Sequence, residues 1–599
     1  MCGIAGVLGE KLEIDKINFC LNHLKERGPD GNGFYRKEKI TLIHTRLSVL
    51  DLSSEGSQPM IDERTGLVII YNGEIYNFND LQKKYLNSNY KNDTRVILNL
   101  FIKFGIKTFS LLRGMFAIAI WNPKSQELII ARDRFGIKPI YYSNQNNNFY
   151  FGSDVRALEA IGVKKKISER SIKYYLVDGI LEDNENTLYE GIRPLKPGKI
   201  IRIKNSKLNI IDFWKANKVN KIKIKKKEVQ EALDEKLLEV IKMHLISDVK
   251  VGLTLSSGID SQILIKYMLK LHKDVSAYTY GYENKIYDES TYVKNKYISE
   301  NVKILKNILK PNDFLSELKD AIEYFQSPIG GLGTLSLFSL MKLIKKDKTK
   351  VILSGEGGDE IFYGYKYYYY AYLLKLKKKN KVDLLNKELE LWKKTANEDL
   401  SNFVKNINEL KINIYGSQAP DGTSLSSIPI AGEFFNDLKI KNYKHFKKIS
   451  SDDLKNINLI DITAKKLPKL LMFQDRSSMK SSIESRVPFL DNELYEFSRN
   501  IEISNHIGNG TLKNLLRKNL YNDYNSNEKK YVATPQREWF KAELYEKIKE
   551  ILFDGYLVNN KIINKELFFK EYKKYKEDEN LGNSFFVWKV LNLELLQNL

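Results

Sequence analysis

Two folded units in series are predicted: an antiparallel α+β domain, then an α/β domain built on a parallel sheet that runs on into helices. Three observations carry this. The chain has 599 residues, more than one hydrophobic core normally serves. Its first 160 residues or so are short apolar runs cut by Gly, Asn and Asp, the pattern of strands and hairpins. Beyond about residue 228 strands and helices alternate, which places a parallel sheet between two layers of helices.

Taken in order, LVIIYNGEIYN, FAIAIWNPKSQELIIARD and NNNFYFGSD read as strands joined by tight turns. A domain boundary is expected near 215, so that residues 1–215 form one domain and 216–599 the other. Val229, Leu233, Leu237, Val240, Ile241 and Leu245 recur at helical spacing, and KVGLTL then enters as a strand. A helix from Ser261, a strand SAYTYGY, a helix around Tyr292 to Ser299, further helices and a strand TKVILSG follow. After Tyr365 the chain reads as helical, and Tyr367 to Tyr370 read as a packed helix flank.

Composition excludes several classes. With 42% hydrophobic residues the chain is globular and not disordered. The formal net charge of +22 raises the question of nucleic acid, but lysine is spread along the chain and no zinc-finger or RNA-binding signature accompanies it. The densest basic run, Lys218 to Lys227, reads as a solvated linker. Only Cys2 and Cys20 are present, so no disulfide framework is available and a reducing, cytoplasmic setting is expected. No signal peptide, membrane insertion or nucleic-acid partner is expected.

Two constellations carry chemistry. Cys2 follows an initiator methionine that a small second residue allows to be removed, which would give Cys2 both a thiol nucleophile and a free α-amine to act as its base. Further along, LTLSSGIDSQILI sets Ser256, Ser257, Gly258, Asp260 and Ser261 between a strand and a helix. Small residues there admit a ligand, and the free N–H groups of the helix start face an anion. No Gly-Lys-Ser/Thr follows, so this is not a Walker loop. A second glycine-rich acidic loop ends the strand of TKVILSGEGGDEIFYGY, Thr349 to Tyr365.

The ordered set MCGIAG, RGPDG, HTRLSVLDL, YNGEIYN and RDRFGIKPIYY resembles the glutaminase domain of glutamine-hydrolysing asparagine synthetases and related N-terminal-nucleophile amidotransferases. SSGIDS resembles the pyrophosphate loop of ATP pyrophosphatases, with Ser257 in place of the usual first Gly. The resemblance implies an N-terminal-nucleophile hydrolase fold, a sandwich of antiparallel sheets flanked by helices. A Rossmann-like ATP pyrophosphatase domain with a helical C-terminal part would follow it.

Carried over by position, the resemblance gives Arg46 the α-carboxylate of glutamine, Asn72 and Gly73 the oxyanion hole, and Glu74 and Asp93 the substrate ammonium. It puts Arg27 on a mobile loop that closes the pocket. Leu255 to Gly258, Asp260, Ser261, Ser354 and Gly355 would hold ATP and its pyrophosphate, and Asp260 and Asp359 would hold Mg²⁺ on it. Glu356 would face the reacting carbonyl, Lys513 would neutralise phosphate charge, and Glu484 and Arg486 would pack behind the ATP site. The implied reaction amidates a carboxylate with nitrogen from glutamine at the expense of ATP. Aspartate is the default acceptor.

FQSPIGGLGTLSLF (Phe325 to Phe338) shows no arginine for an α-carboxylate, and the lysine-rich stretch from about 366 to 462 is an expansion. Both features keep a larger acceptor open, such as a uronic acid of a surface polysaccharide. A basic nucleic-acid-binding protein without catalysis is the alternative of another class. A second copy of the chain is a further expected partner.

Overall fold

The computed structural model describes residues 1–182, 185–220, 228–271, 274–298, 300, 302–396, 400, 449–521, 534–579 and 582–598. Residues 221–227 of the basic run, and the loop Tyr415 to Ser427 within the lysine-rich stretch, lie outside these.

Residues 3–212 form two six-stranded sheets. One has the order β10-β8-β9-β1-β3-β2, built from β1 (Gly3–Leu8), β2 (Gly31–Lys37), β3 (Ile40–Arg46), β8 (Tyr141–Gln145), β9 (Asn148–Gly152) and β10 (Ile192–Pro194). The other has the order β12-β11-β7-β6-β5-β4, built from β4 (Met60–Ile61), β5 (Val68–Ile75), β6 (Gly114–Asn122), β7 (Glu127–Arg132), β11 (Lys199–Lys204) and β12 (Lys207–Asp212). Neighbouring strands in both sheets run antiparallel.

Strand alternation explains the layering, because successive side chains point to opposite faces. Ile4 of β1, Val68 and Ile70 of β5 and Ala117, Ala119 and Trp121 of β6 meet between the sheets. Their neighbours Ile69, Phe116, Ile118 and Ile120 pack outward on the helix Asp93–Phe104. Ala5 and Val7 pack outward the other way, against the helix Ile14–Leu24. The result is helices, sheet, sheet, helices, the sandwich that the resemblance implies.

The second unit is a parallel sheet of order β15-β14-β13-β16-β17, with β13 (Val251–Thr254), β14 (Val275–Gly281), β15 (Val302–Ile308), β16 (Val351–Leu353) and β17 (Glu484–Arg486). Helix Val229–His244 buries Val229, Leu233, Leu237, Val240 and Ile241, the residues whose spacing predicts it, and packs with the helix Ile259–Leu271. Leu340, Met341 and Ile344 of the helix Leu332–Lys346 pack on Tyr278 and Ile352, from β14 and β16. From β13 the chain goes one way to β14 and β15, then returns on the other side as β16. In open α/β sheets ligands bind at such a switch in strand order, beyond the carboxyl ends of the strands.

The tyrosine run lies on helix Lys366–Lys378, where Tyr368 and Tyr369 are fully buried, as a packed helix flank requires. Apolar clusters join the units. Ile17, Cys20, Leu24 and Leu158 share a core with Phe314, Phe325, Trp588 and Leu591, and Met115 and Phe135 share another with Leu233 and Leu237.

Candidate active sites

The first site lies where β1, β3 and β5 end together. Cys2 stands just ahead of β1 and is buried, and its backbone N–H donates to Asn72 Oδ1 at 3.0 Å. That bond turns the carboxamide so that Nδ2 has no hydrogen-bond partner among the described residues although it is buried. An unpaired buried donor is costly unless a ligand satisfies it. Gly73 follows on β5, where a Cβ would meet Met115 O at 2.1 Å, so a larger residue cannot pair with β6 at this point.

Burial pushes the Cys2 thiol up, while the terminal ammonium and a backbone hydrogen bond at Leu47 pull it down. Arg46 ends β3, and its guanidinium donates to the carbonyls of Ser53 (2.7 Å) and Asp51, which fixes the fork at the pocket rim. Asp93 opens its helix, and its Oδ2 accepts from Tyr71 Oη at 2.8 Å and Ile75 N at 3.0 Å. Burial pushes Asp93 up to about 6. Cys2, Arg46, Gly73, Glu74 and Asp93 thus line one small pocket, which Met1 also lines. Asn72 reaches it through its bond to Cys2.

Three neighbours come from the second unit. Arg27 is buried, not on an open loop: its Nη1 and Nη2 donate to Asp475 at 2.8 and 3.3 Å and its Nε to the Cys2 carbonyl at 3.3 Å. Glu484 accepts the terminal ammonium of Met1 at 2.9 Å, and Arg486 Nη2 lies 3.4 Å from Glu74 Oε2. Glu484 and Arg486 therefore stand behind the first pocket. The sequence placed them behind the ATP site, because the fold of two charged residues into a buried three-residue strand of one unit that faces the other unit's pocket leaves no periodic trace.

The second site lies at the switch in the parallel sheet, in a cavity of about 610 Å³. Leu255, Ser256, Gly258, Asp260 and Ser261 line it from the end of β13, and Ser354, Gly355, Glu356 and Asp359 from the end of β16. Ser261 Oγ donates to the Ser256 and Gly258 carbonyls at 3.0 and 3.1 Å, folding the loop on its own helix start. Ser257 fits where the usual loop has Gly: it is buried, and its N–H and Oγ donate to Glu289 Oε2 at 3.1 and 2.8 Å. Glu289 is a partner that the sequence did not announce.

The two loops touch closely, and a Cβ on Gly358 would stand 2.4 Å from Asp260 Cγ. Lys513, 4% exposed, lies between the two acidic loops, its ammonium 2.5 Å from Asp260 Oδ2 and also paired with Asp359. Those carboxylates hold Lys513 well above its ordinary value. One cation that bridges both shows that Asp260 and Asp359 converge on a single point. Two hard-oxygen donors suit Mg²⁺, which takes few protein carboxylates and fills its shell with phosphate oxygens and water. Burial and the nearby Asp359 and Asp260 push Glu356 up to about 7, the range of a proton acceptor at neutral pH.

From the segment Phe325 to Phe338, Gly330, Gly333, Thr334 and Leu337 line this cavity. Among the described residues its lining cations are Lys366 and Lys513, with no arginine. Arg476 reaches the same segment at Ser327 Oγ (2.8 Å), but faces Tyr141 of the first unit and not the cavity.

Residues 1–214 match the glutamine amidotransferase domain family, and residues 232–598 the asparagine synthase family. The chain is 27% identical to asparagine synthetase [glutamine-hydrolyzing] 1 of Bacillus subtilis, over 99% of this chain and 95% of that one. It is 32% identical to putative asparagine synthetase [glutamine-hydrolyzing] 2 of Methanocaldococcus jannaschii, over 61% of this chain and 76% of the other. Amidase chyE of Penicillium rubens is more distant, 23% identical over 90% of this chain and 87% of that one. With its second unit matched almost from end to end and its first unit an amidotransferase domain, the chain belongs to the asparagine synthase family.

Proposed function

We propose that this chain is a cytoplasmic glutamine-hydrolysing asparagine synthetase. The observation that carries the reading is the pairing on one chain of a buried thiol beside an unpartnered amide donor with a two-loop anion site gripped by Lys513. The relatives named above support aspartate as the acceptor, and neither a sugar acid nor nucleic acid gains support from them.

In this reading Met1 is removed, which widens the pocket it lines and frees the Cys2 amine to take the thiol proton. Arg46 pairs with the glutamine α-carboxylate, and Glu74 and Asp93 receive its ammonium. Cys2 Sγ attacks the amide carbon, and Asn72 Nδ2 with the Gly73 N–H holds the oxyanion, each donor contributing ~3 kcal/mol. Ammonia leaves, and water releases glutamate from the thioester.

At the second site Lys513 leaves Asp260 and Asp359 for the phosphates of ATP, and the β-carboxylate of aspartate attacks the α-phosphorus to give an acyl adenylate and pyrophosphate. Asp260 and Asp359 would hold Mg²⁺, which supplies positive charge against the pyrophosphate oxygens. Ammonia then attacks the acyl carbonyl, AMP departs, and Glu356 accepts the proton that nitrogen loses.

The test is to supply glutamine labelled with heavy nitrogen in its side-chain amide, together with ATP and aspartate. Labelled asparagine, with glutamate, AMP and pyrophosphate in equal amounts, is expected. Pyrophosphate release that ignores aspartate would overturn the choice of acceptor.

A further inference from the structure

Arg486 is fully buried on the second unit, and nearly all of its fork is already committed there. Its Nε donates to Glu484 at 2.6 Å, and its Nη1 to the His244 and Ile246 carbonyls at 2.8 and 2.6 Å, in the connection between helix Val229–His244 and β13. Nη2 alone has no hydrogen-bond partner among the described residues, and Glu74 Oε2 lies 3.4 Å from it as an ion-pair neighbour. Glu74 is itself buried and lines the glutamine pocket. A planar guanidinium held at three points cannot swing away, so the second unit presents a fixed positive charge to the floor of the first unit's site.

On the reading that this pocket binds glutamine, we propose that Arg486 is a positioning residue for that substrate: by facing Glu74 it makes a carboxylate available to the α-ammonium, so that the second unit completes glutamine recognition in the first. An isolated carboxylate is expensive to bury, and the groups around Glu74 divide into two camps. Asp93 and Glu484 are like charges, and the Tyr71 and Tyr76 hydroxyls adjoin. Arg486 and, while Met1 is present, the terminal ammonium are the opposing cations. Burial pushes Glu74 upward, and Arg486 is the largest opposing influence.

A protonated Glu74 cannot pair with the ammonium, so glutamine binding weakens as pH falls. Loss of Arg486 moves that weakening to higher pH.

The full-length chain with Arg486→Met or Arg486→Lys is assayed for glutamate release between pH 6 and 8.5. Alongside, the inhibition constant of 4-carbamoylbutanoate is measured, which is glutamine without its α-amino group. For Arg486→Met the glutamine KM is expected to rise about tenfold at pH 7 and to fall again as pH rises. The inhibition constant of the amine-free analogue stays within about twofold. Arg486→Lys keeps the buried charge and so the fold. It is expected to shift the ratio of glutamine KM to analogue inhibition constant in the same direction by a smaller factor, and it carries the test if the Met variant does not fold. Equal losses for glutamine and analogue, or a KM shift that ignores pH, would mean that Arg486 only supports the fold and would overturn the proposal. A wild-type chain that releases no glutamate would instead refute the glutaminase reading itself.

Discussion

Asn72 illustrates what one residue does when both ends of its amide are used. Its oxygen is spent on the Cys2 N–H, which leaves the nitrogen buried and waiting for an acceptor. Asn72→Ala is therefore expected to lower kcat for glutamine hydrolysis by ~10²–10³-fold with little change in KM, read from glutamate release. An unchanged kcat would take Asn72 out of the oxyanion hole. Cys2, Arg46, Asn72, Gly73 and Glu74 could be named from the sequence because each sits in a short motif that carries the resemblance, and the structure gathers them with Asp93 around one pocket. Arg27, Glu289 and Arg486 were misjudged or missed. Their partners Asp475, Ser257 and Glu74 lie tens to hundreds of residues away, and an ion pair or hydrogen bond across such a gap leaves no local pattern.

Among the elements, those with strong periodicity could be read and those with a short or charged make-up could not. The short apolar runs of β5 and β6 gave strands, and the helical spacing from Val229 to Ile241 gave a helix and its buried face. β15 escaped notice because Lys303 and Lys306, at the sheet edge, interrupt the apolar residues of VKILKNI and blur its alternation. β17 escaped because Glu484–Arg486 is only a three-residue strand, with two of its three residues charged. The paired loops after β13 and β16 depend on close approach. Gly358→Ala would drive a methyl into Asp260, 2.4 Å from its Cγ, and push the loops apart. A misplacement of about 1 Å near reacting groups can cost ~10²-fold. Pyrophosphate release is expected to fall by that order while glutamine hydrolysis and the melting temperature change little. A parallel loss of both activities would mean that the damage spreads beyond the loops.

Over the whole molecule, the two units are not separate bodies on a tether. They share apolar clusters, the buried pair Arg27–Asp475 and the strand β17, which belongs to one sheet yet faces the other unit's pocket. The high positive charge finds ordinary employment in surface pairs: Asp347 receives both Lys250 and Lys303, and Lys342 joins Glu317 and Asp320. Such pairs contribute little individually, which fits solvated faces better than a nucleic-acid groove. If ammonia made in one unit is consumed in the other, the two halves must be separable by a single side chain. The most direct measurement compares Cys2→Ala with the unaltered chain, reading asparagine formed from aspartate and ATP with either glutamine or ammonium as nitrogen source. Synthesis from glutamine should vanish while synthesis from ammonium continues at the rate of the unaltered chain. Persistence of glutamine-dependent synthesis, or loss of both in a variant that still folds, would contradict the account.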